Sequence, residues 1–260
     1  MWVDAHLHLD DTAFDLDRDA VIARAREAGV RWMVSAGTSL AGSRRVLELA
    51  GRHPQVAAAV GIHPATAAEA TPDGLAALAA LARHPRVCAI GEVGLDYFRD
   101  QVPRDAQKAA FRAQIRLAAE VNLPLVVHDR EAHADVDRLL AEEDAGPVVL
   151  HCFTGPAERA MRCAAAGWML SFAGMLTFPR SSELREAAQE IPLECVLVES
   201  DAPYLAPIPH RGRRCEPSYV AATARVLAEL RGMDLGALAM QIAANARRVF
   251  APTASDHPLP

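Results

Sequence analysis

Apolar positions in this chain fall into short β-prone runs, each followed by a longer helical stretch rich in Ala, Leu and Arg. The runs predict strands at Trp2–His6, Arg31–Ser35, Val56–Ile62, Val87–Glu92, Leu125–His128, Val148–His151, Trp168–Phe172 and Cys195–Ser200. Strands that alternate with helices imply a parallel sheet, because parallel neighbours need a crossover connection. Eight such units favour closure into a single (β/α)8 TIM barrel, an α/β fold that typically takes about 250 residues. The last periodic stretch, about Leu235–Phe250, reads as an extra C-terminal helix. The barrel is thus expected over residues 1–251, with a loosely ordered proline-rich tail over 252–260.

Punctuation residues agree with this frame. Thr71-Pro72 has the form of an N-cap followed by proline at the first helical position. Pro103, Pro156 and Pro217 are placed to open helices in the same way. Gly29 and Gly167 stand where a helix should stop before the next strand.

The 51% apolar content suits a large buried core and not a disordered chain. A formal charge of −6 argues against non-specific coating of nucleic acid, which needs a basic surface, but leaves room for a local cationic site. The five cysteines, Cys88, Cys152, Cys163, Cys195 and Cys215, are odd in number and lack metal-clip or redox spacing. A reduced, cytoplasmic compartment is the expectation. No apolar run approaches the ~20 residues of a membrane span, and charged or imidazole residues from Asp4 onward speak against a secretory leader.

Barrel chemistry gathers at the C-terminal ends of the strands. His6, His8, His63, His128 and His151 all lie at or just past predicted strand ends, a clustering that scatter would seldom produce. His53 and His84 precede prolines at helix ends, where they suit the helix dipole. In Asp4-Ala5-His6-Leu7-His8, residues two apart share a strand face, so His6 and His8 can chelate one ion. Asp4, one step deeper, is placed to accept a hydrogen bond and orient a ligand. The plain alternative is a polar pair at a strand end. Glu92 ends the fourth predicted strand. A carboxylate can bridge two cations, and the only lysine, Lys108, lies too far along to do so in carboxylated form. An interior glutamate paired with arginine is the alternative. His128 and His151 each follow a buried apolar run, and a buried imidazole must find a partner. Asp201 closes the eighth strand, placed to touch a metal and a catalytic water, or else to cap the turn before Pro203. Glu199, two residues back, reads as a hydrogen-bonded core carboxylate, and Cys152 as a small buried side chain.

Together His6, His8, Glu92, His128, His151 and Asp201 supply nitrogen and oxygen ligands for a two-metal site. The motifs around them are DAHLHLD at Asp4–Asp10, GIHP at Gly61–Pro64, GEVGLDY at Gly91–Tyr97 and PLVVHDR at Pro124–Arg130. HCFTG at His151–Gly155, ESDAPYLAP at Glu199–Pro207, HRGRRCEP at His210–Pro217 and NARRVF at Asn245–Phe250 follow. In this order they resemble the TatD family of metal-dependent hydrolases and deoxyribonucleases, from Asp4 to Phe250. The resemblance implies that His6, His8 and Asp201 hold one ion, that His128 and His151 hold a second, and that Glu92 bridges them. It implies that His63 and Arg130 face a substrate phosphate. Thr154 stands where the family often has serine, Ser200 where threonine is usual, and Cys215 replaces a common asparagine, which puts in doubt any rim contact of that amide.

The expected activity is hydrolysis of DNA phosphodiesters, as a 3′-5′ exonuclease on single-stranded ends, by a water activated on two divalent ions (Zn, Mn, Ni or Mg) with Asp201 as base. The Arg211–Arg214 run would steer a strand toward the mouth, or form an ordinary solvated loop. A monomer is the default. One rival is a two-metal hydrolase of small esters, lactones, amides or phosphotriesters, since fold does not select the substrate. Another is a non-catalytic metal-binding barrel.

Overall fold

The computed structural model describes residues 1–250, so the tail expected at 252–260 lies outside the described residues. Strands and helices alternate as β1 (Trp2–Leu7), α1 (Arg18–Glu27), β2 (Val30–Ala36), α2 (Leu40–Arg52), β3 (Val56–Val60), α3 (Pro72–Ala82), β4 (Val87–Asp96) and α4 (Arg104–Val121). There follow β5 (Leu125–Arg130), α5 (His133–Glu142), β6 (Val148–Leu150), α6 (Ala157–Ala165), β7 (Met169–Phe172), α7 (Ser182–Glu190), β8 (Val196–Val198), α8 (Val220–Arg231) and α9 (Leu235–Phe250). The strands hydrogen-bond in chain order, β1 through β8. This is the (β/α)8 TIM barrel class with an added C-terminal helix, as the alternation predicts. No helix among the described residues is long and apolar enough to cross a membrane.

Packing divides the chain into two compact units, Met1–Val34 with His151–Pro260, and Ser35–Leu150. In the first, β7 pairs in parallel with β8, and the end of β8 is stitched to β1. The Asp201 N–H donates to the His6 carbonyl at 3.0 Å and the His8 N–H to the Ala202 carbonyl at 2.7 Å. The Asp4 carboxylate accepts the Ser200 N–H at 2.8 Å. Helix α9 packs behind this seam on Leu238, Ile242, Val249 and Phe250, all buried, and the Asn245 amide donates to the carbonyls of Leu193 and Val196.

In the second unit β3, β4, β5 and β6 run parallel. Every residue of β3 and β4 is buried, as expected of strands covered on both faces. β4 extends four residues past the expected end at Glu92. The register with β5 shifts between Ile90 and Val93, after which Gly94 pairs with His128 and Asp96 with Arg130. Gly94 permits this: its φ is +133°, and a Cβ there would lie 2.0 Å from the His128 carbonyl oxygen. Helix α4 is bolted to the strand ends by two buried glutamines. Gln114 accepts the Ile62 N–H at 2.7 Å and donates to the Ile62 carbonyl at 2.9 Å. Gln107 accepts the Asp96 N–H at 2.9 Å and donates to the Asp96 carbonyl at 3.2 Å.

Helix starts differ slightly from expectation. Thr71 caps α3 through the Gly74 N–H, with Pro72 at its first turn. Pro103 and Pro156 instead immediately precede α4 and α6, and Pro217 opens a short 3-10 turn ahead of α8. Gly29 and Gly167 follow α1 and α6 with φ of +86° and +80°. β6 and β8 stop short of His151 and Glu199. Just past β6 the Cys152 N–H is given to the Glu199 carboxylate at 2.7 Å instead of a strand neighbour.

Candidate metal centre

Within the first unit, the strand-face argument for His6 and His8 holds. Their Nε2 atoms are 3.2 Å apart. Asp201 Oδ1 lies 3.9 Å from His6 Nε2 and 3.6 Å from His8 Nε2. All three residues are buried. Two imidazole lone pairs this close repel unless a cation or proton lies between them. The circle through the three donor atoms has a radius of about 2.1 Å, the bond length of a zinc-sized cation to nitrogen or oxygen. These residues therefore fit a divalent metal.

Asp201 is held for the task. Its φ is +51°, a left-handed conformation that Asp tolerates better than most residues. Strain of this kind persists only where the surroundings enforce it, and here the β1–β8 seam does so. The Asp4 carboxylate takes the Ser200 N–H and so fixes the residue before Asp201. Burial pushes the Asp4 carboxyl up to about 8, against the lowering effect of Ser200.

The ring of His151 stacks on that of His6, with centroids 3.9 Å apart and planes 22° apart. His151 Nδ1 lies 3.3 Å from Glu199 Oε1, which also accepts the Cys152 N–H. Glu199 is fully buried, and its pairing with His151 is the carboxylate–histidine arrangement that orients metal ligands. Cys152, expected to be buried, is half-buried, with φ at +45°.

Within the second unit, His63, Glu92 and His128 converge. Glu92 Oε1 is 2.7 Å from His128 Nδ1 and 3.7 Å from His63 Nε2. The two imidazole rings meet edge to face at 4.6 Å. His63 Nδ1 accepts the Ala65 N–H, which turns its Nε2 toward Glu92. These donors form a second cluster that can hold a metal ion. His63 thus sits among candidate ligands, while Arg130 is exposed at the end of β5 with its guanidinium 4.2 Å over the Phe98 ring.

Asp96 was missed in the sequence. Its Oδ2 is 3.3 Å from His128 Nε2, and its Oδ1 accepts the N–H groups of Phe98 and Arg99. Burial raises its pKa, but hydrogen bonds from His128 and the Arg99 N–H prevail and bring it down to about 2. The signal was parity: residues 92, 94 and 96 share one strand face. Cys215 is fully buried beneath the β8 turn, its Sγ 3.5 Å from the Ser200 carbonyl, because its backbone is tied to Pro203. Burial pushes that thiol's pKa upward. Arg214 is committed to Asp17, Glu216 and the Ala13 carbonyl and so is not a free steering charge, while Arg211 is exposed with its guanidinium 4.4 Å over the Phe178 ring.

The TatD related DNase family model matches residues 3–251. The Bacillus subtilis (strain 168) protein YabD, named an uncharacterized metal-dependent hydrolase, is 42% identical over 252 residues, spanning 96% of this chain and 99% of YabD. TatD of Erwinia tasmaniensis, named a 3′-5′ ssDNA/RNA exonuclease, is 41% identical over 255 residues, spanning 95% and 98%. Among solved structures, the TatD homolog YjjV of Escherichia coli K12 superposes with a TM-score of 0.91 at 31% identity, covering 96% of this chain and 98% of YjjV.

Proposed function

The chain belongs to the TatD-related DNases, a family of metal-dependent hydrolases, and from that premise we propose that it is a two-metal deoxyribonuclease that trims single strands from the 3′ end. The observation that carries the reading is the triangle of His6 Nε2, His8 Nε2 and Asp201 Oδ1, sized for one divalent cation. In this reading His6, His8 and Asp201 would hold the first ion and His128 and His151 the second, with Glu92 a ligand of both. Imidazole-rich donors favour Zn, Mn or Ni over Mg. Bound divalent ions supply a water acidic enough to attack near neutral pH and positive charge beside the phosphoryl oxygens.

The protein's own groups do the rest. Asp201 orients the attacking water and accepts its proton, for which its buried, backbone-fixed carboxylate is suited. Glu199 and Asp96 hold the rings of His151 and His128, so that their ligand nitrogens need no reorganisation when metal arrives. His63 and Arg130 contact the scissile phosphate, Arg130 through its planar fork of N–H donors. The relatives named as exonucleases on single-stranded DNA and RNA support a nucleic-acid substrate.

The test is cleavage of end-labelled single- and double-stranded DNA by chelator-treated protein, with Zn, Mn, Ni or Mg added back. Expected is a ladder shortening from the 3′ end, silent without metal. Cleavage by metal-free protein, or hydrolysis of small esters with no attack on any DNA, overturns the proposal.

A further inference from the structure

Phe98 is the only exposed phenylalanine among the described residues, with a relative exposure of 57%. A phenyl ring left in water forgoes the gain of burial, and this one is not on a loose loop. Its N–H is bonded to Asp96 Oδ1, as is that of Arg99. The adjoining Tyr97 N–H is bonded to the Arg130 carbonyl at 2.9 Å. The ring is therefore presented from a fixed turn at the end of β4, beside the end of β5.

Arg130 completes the arrangement. It is exposed and stands two residues beyond His128, and its charge acts on Asp96 without a close ion pair between them. Its guanidinium carbon lies 4.2 Å over the Phe98 ring. A guanidinium stacked by its face keeps its N–H edge for a phosphate. Arg104 lies likewise 4.2 Å over the Tyr97 ring, so two cation–aromatic pairs border this turn in a chain whose net charge is −6. An exposed aromatic plane next to an exposed cation is the combination that binds single-stranded nucleic acid, one part for the base and one for the backbone.

We propose that Phe98 and Arg130 form a nucleotide subsite, in which a nucleobase of the substrate strand stacks on Phe98 while the Arg130 edge holds the adjacent phosphate. This rests on the nucleic-acid reading of the metal centre and deepens it. The subsite grips any base, because every base has a π-face. It also favours single strands, since a paired and stacked base has no face to offer.

The experiment measures kcat/KM of the metal-loaded enzyme on single-stranded oligonucleotides in which one abasic residue is walked through the 3′-terminal positions. At one position the abasic strand should be cut about tenfold less efficiently by the unaltered enzyme, the scale of one base–aromatic stack. Phe98→Ala should lose a similar factor on fully based DNA, mostly through KM, and at that position the two losses should not compound. Phe98→Trp should restore the rate. Independent, multiplying losses at every position, or a Phe98→Ala enzyme with unchanged KM, overturns the subsite while leaving the nuclease reading intact. An enzyme that cuts no oligonucleotide at all overturns both.

Discussion

Glu199 Oε1 accepts the backbone N–H of Cys152 at 2.7 Å and lies 3.3 Å from the Nδ1 atom of His151. One carboxylate thus fixes both the ring and the main chain at the end of β6. Glu199→Gln keeps the shape and removes the charge. Divalent-ion affinity is expected to fall about 10- to 100-fold with the far-UV CD spectrum unchanged, as read by competition with a fluorescent chelator. Unaltered affinity would show that Glu199 serves only the fold.

Asp201→Asn tests the base. An amide oxygen can still ligate, so metal content should stay close to that of the unaltered protein. Single-turnover cleavage should fall by about 10²- to 10⁴-fold, the usual range for losing a proton acceptor. Retention of full single-turnover rate in a metal-replete variant would refute the assigned role.

Gln114→Leu strips two hydrogen bonds from the Ile62 backbone, immediately before His63. Buried backbone groups left without partners cost about 1–3 kcal/mol each. The unfolding free energy from urea titration should drop by about 2–6 kcal/mol, and a change within about 0.5 kcal/mol, the size of an ordinary surface substitution, would argue that water replaces the amide.

Acid should act through Asp17. Hydrogen bonds from Arg214, and secondarily from Arg24, hold its carboxyl near 2, below the ordinary 3.8. Because the folded value lies under the unfolded one, this stabilisation is complete above the ordinary value and fades as pH falls through 2. Urea midpoints of the unaltered protein and of Asp17→Asn should therefore differ at pH 5 and converge toward pH 2. A gap that is constant across this range would sink the assignment.

Much of the frame was legible along the chain. The alternation of runs gives eight strands and the extra helix, and two-residue parity pairs His6 with His8. What escaped has a common physical character. β4 was cut at Glu92 because Gly91 and Gly94 interrupt its apolar pattern, and Asp96 was lost with its end. Gln107 and Gln114 look like surface residues of a helix, since their partners are backbone atoms that no side-chain pattern reveals. Arg214 looks like a free loop cation, because its partner Asp17 is 197 residues away.

The seam between β1 and β8 has a temporal meaning. His6 and His8 are synthesised well before Asp201, their third companion, which follows nearly 200 residues further along the chain. A nascent or truncated polypeptide ending before that aspartate holds two imidazoles with no carboxylate to join them. This three-donor site is thereby withheld until synthesis has passed Asp201.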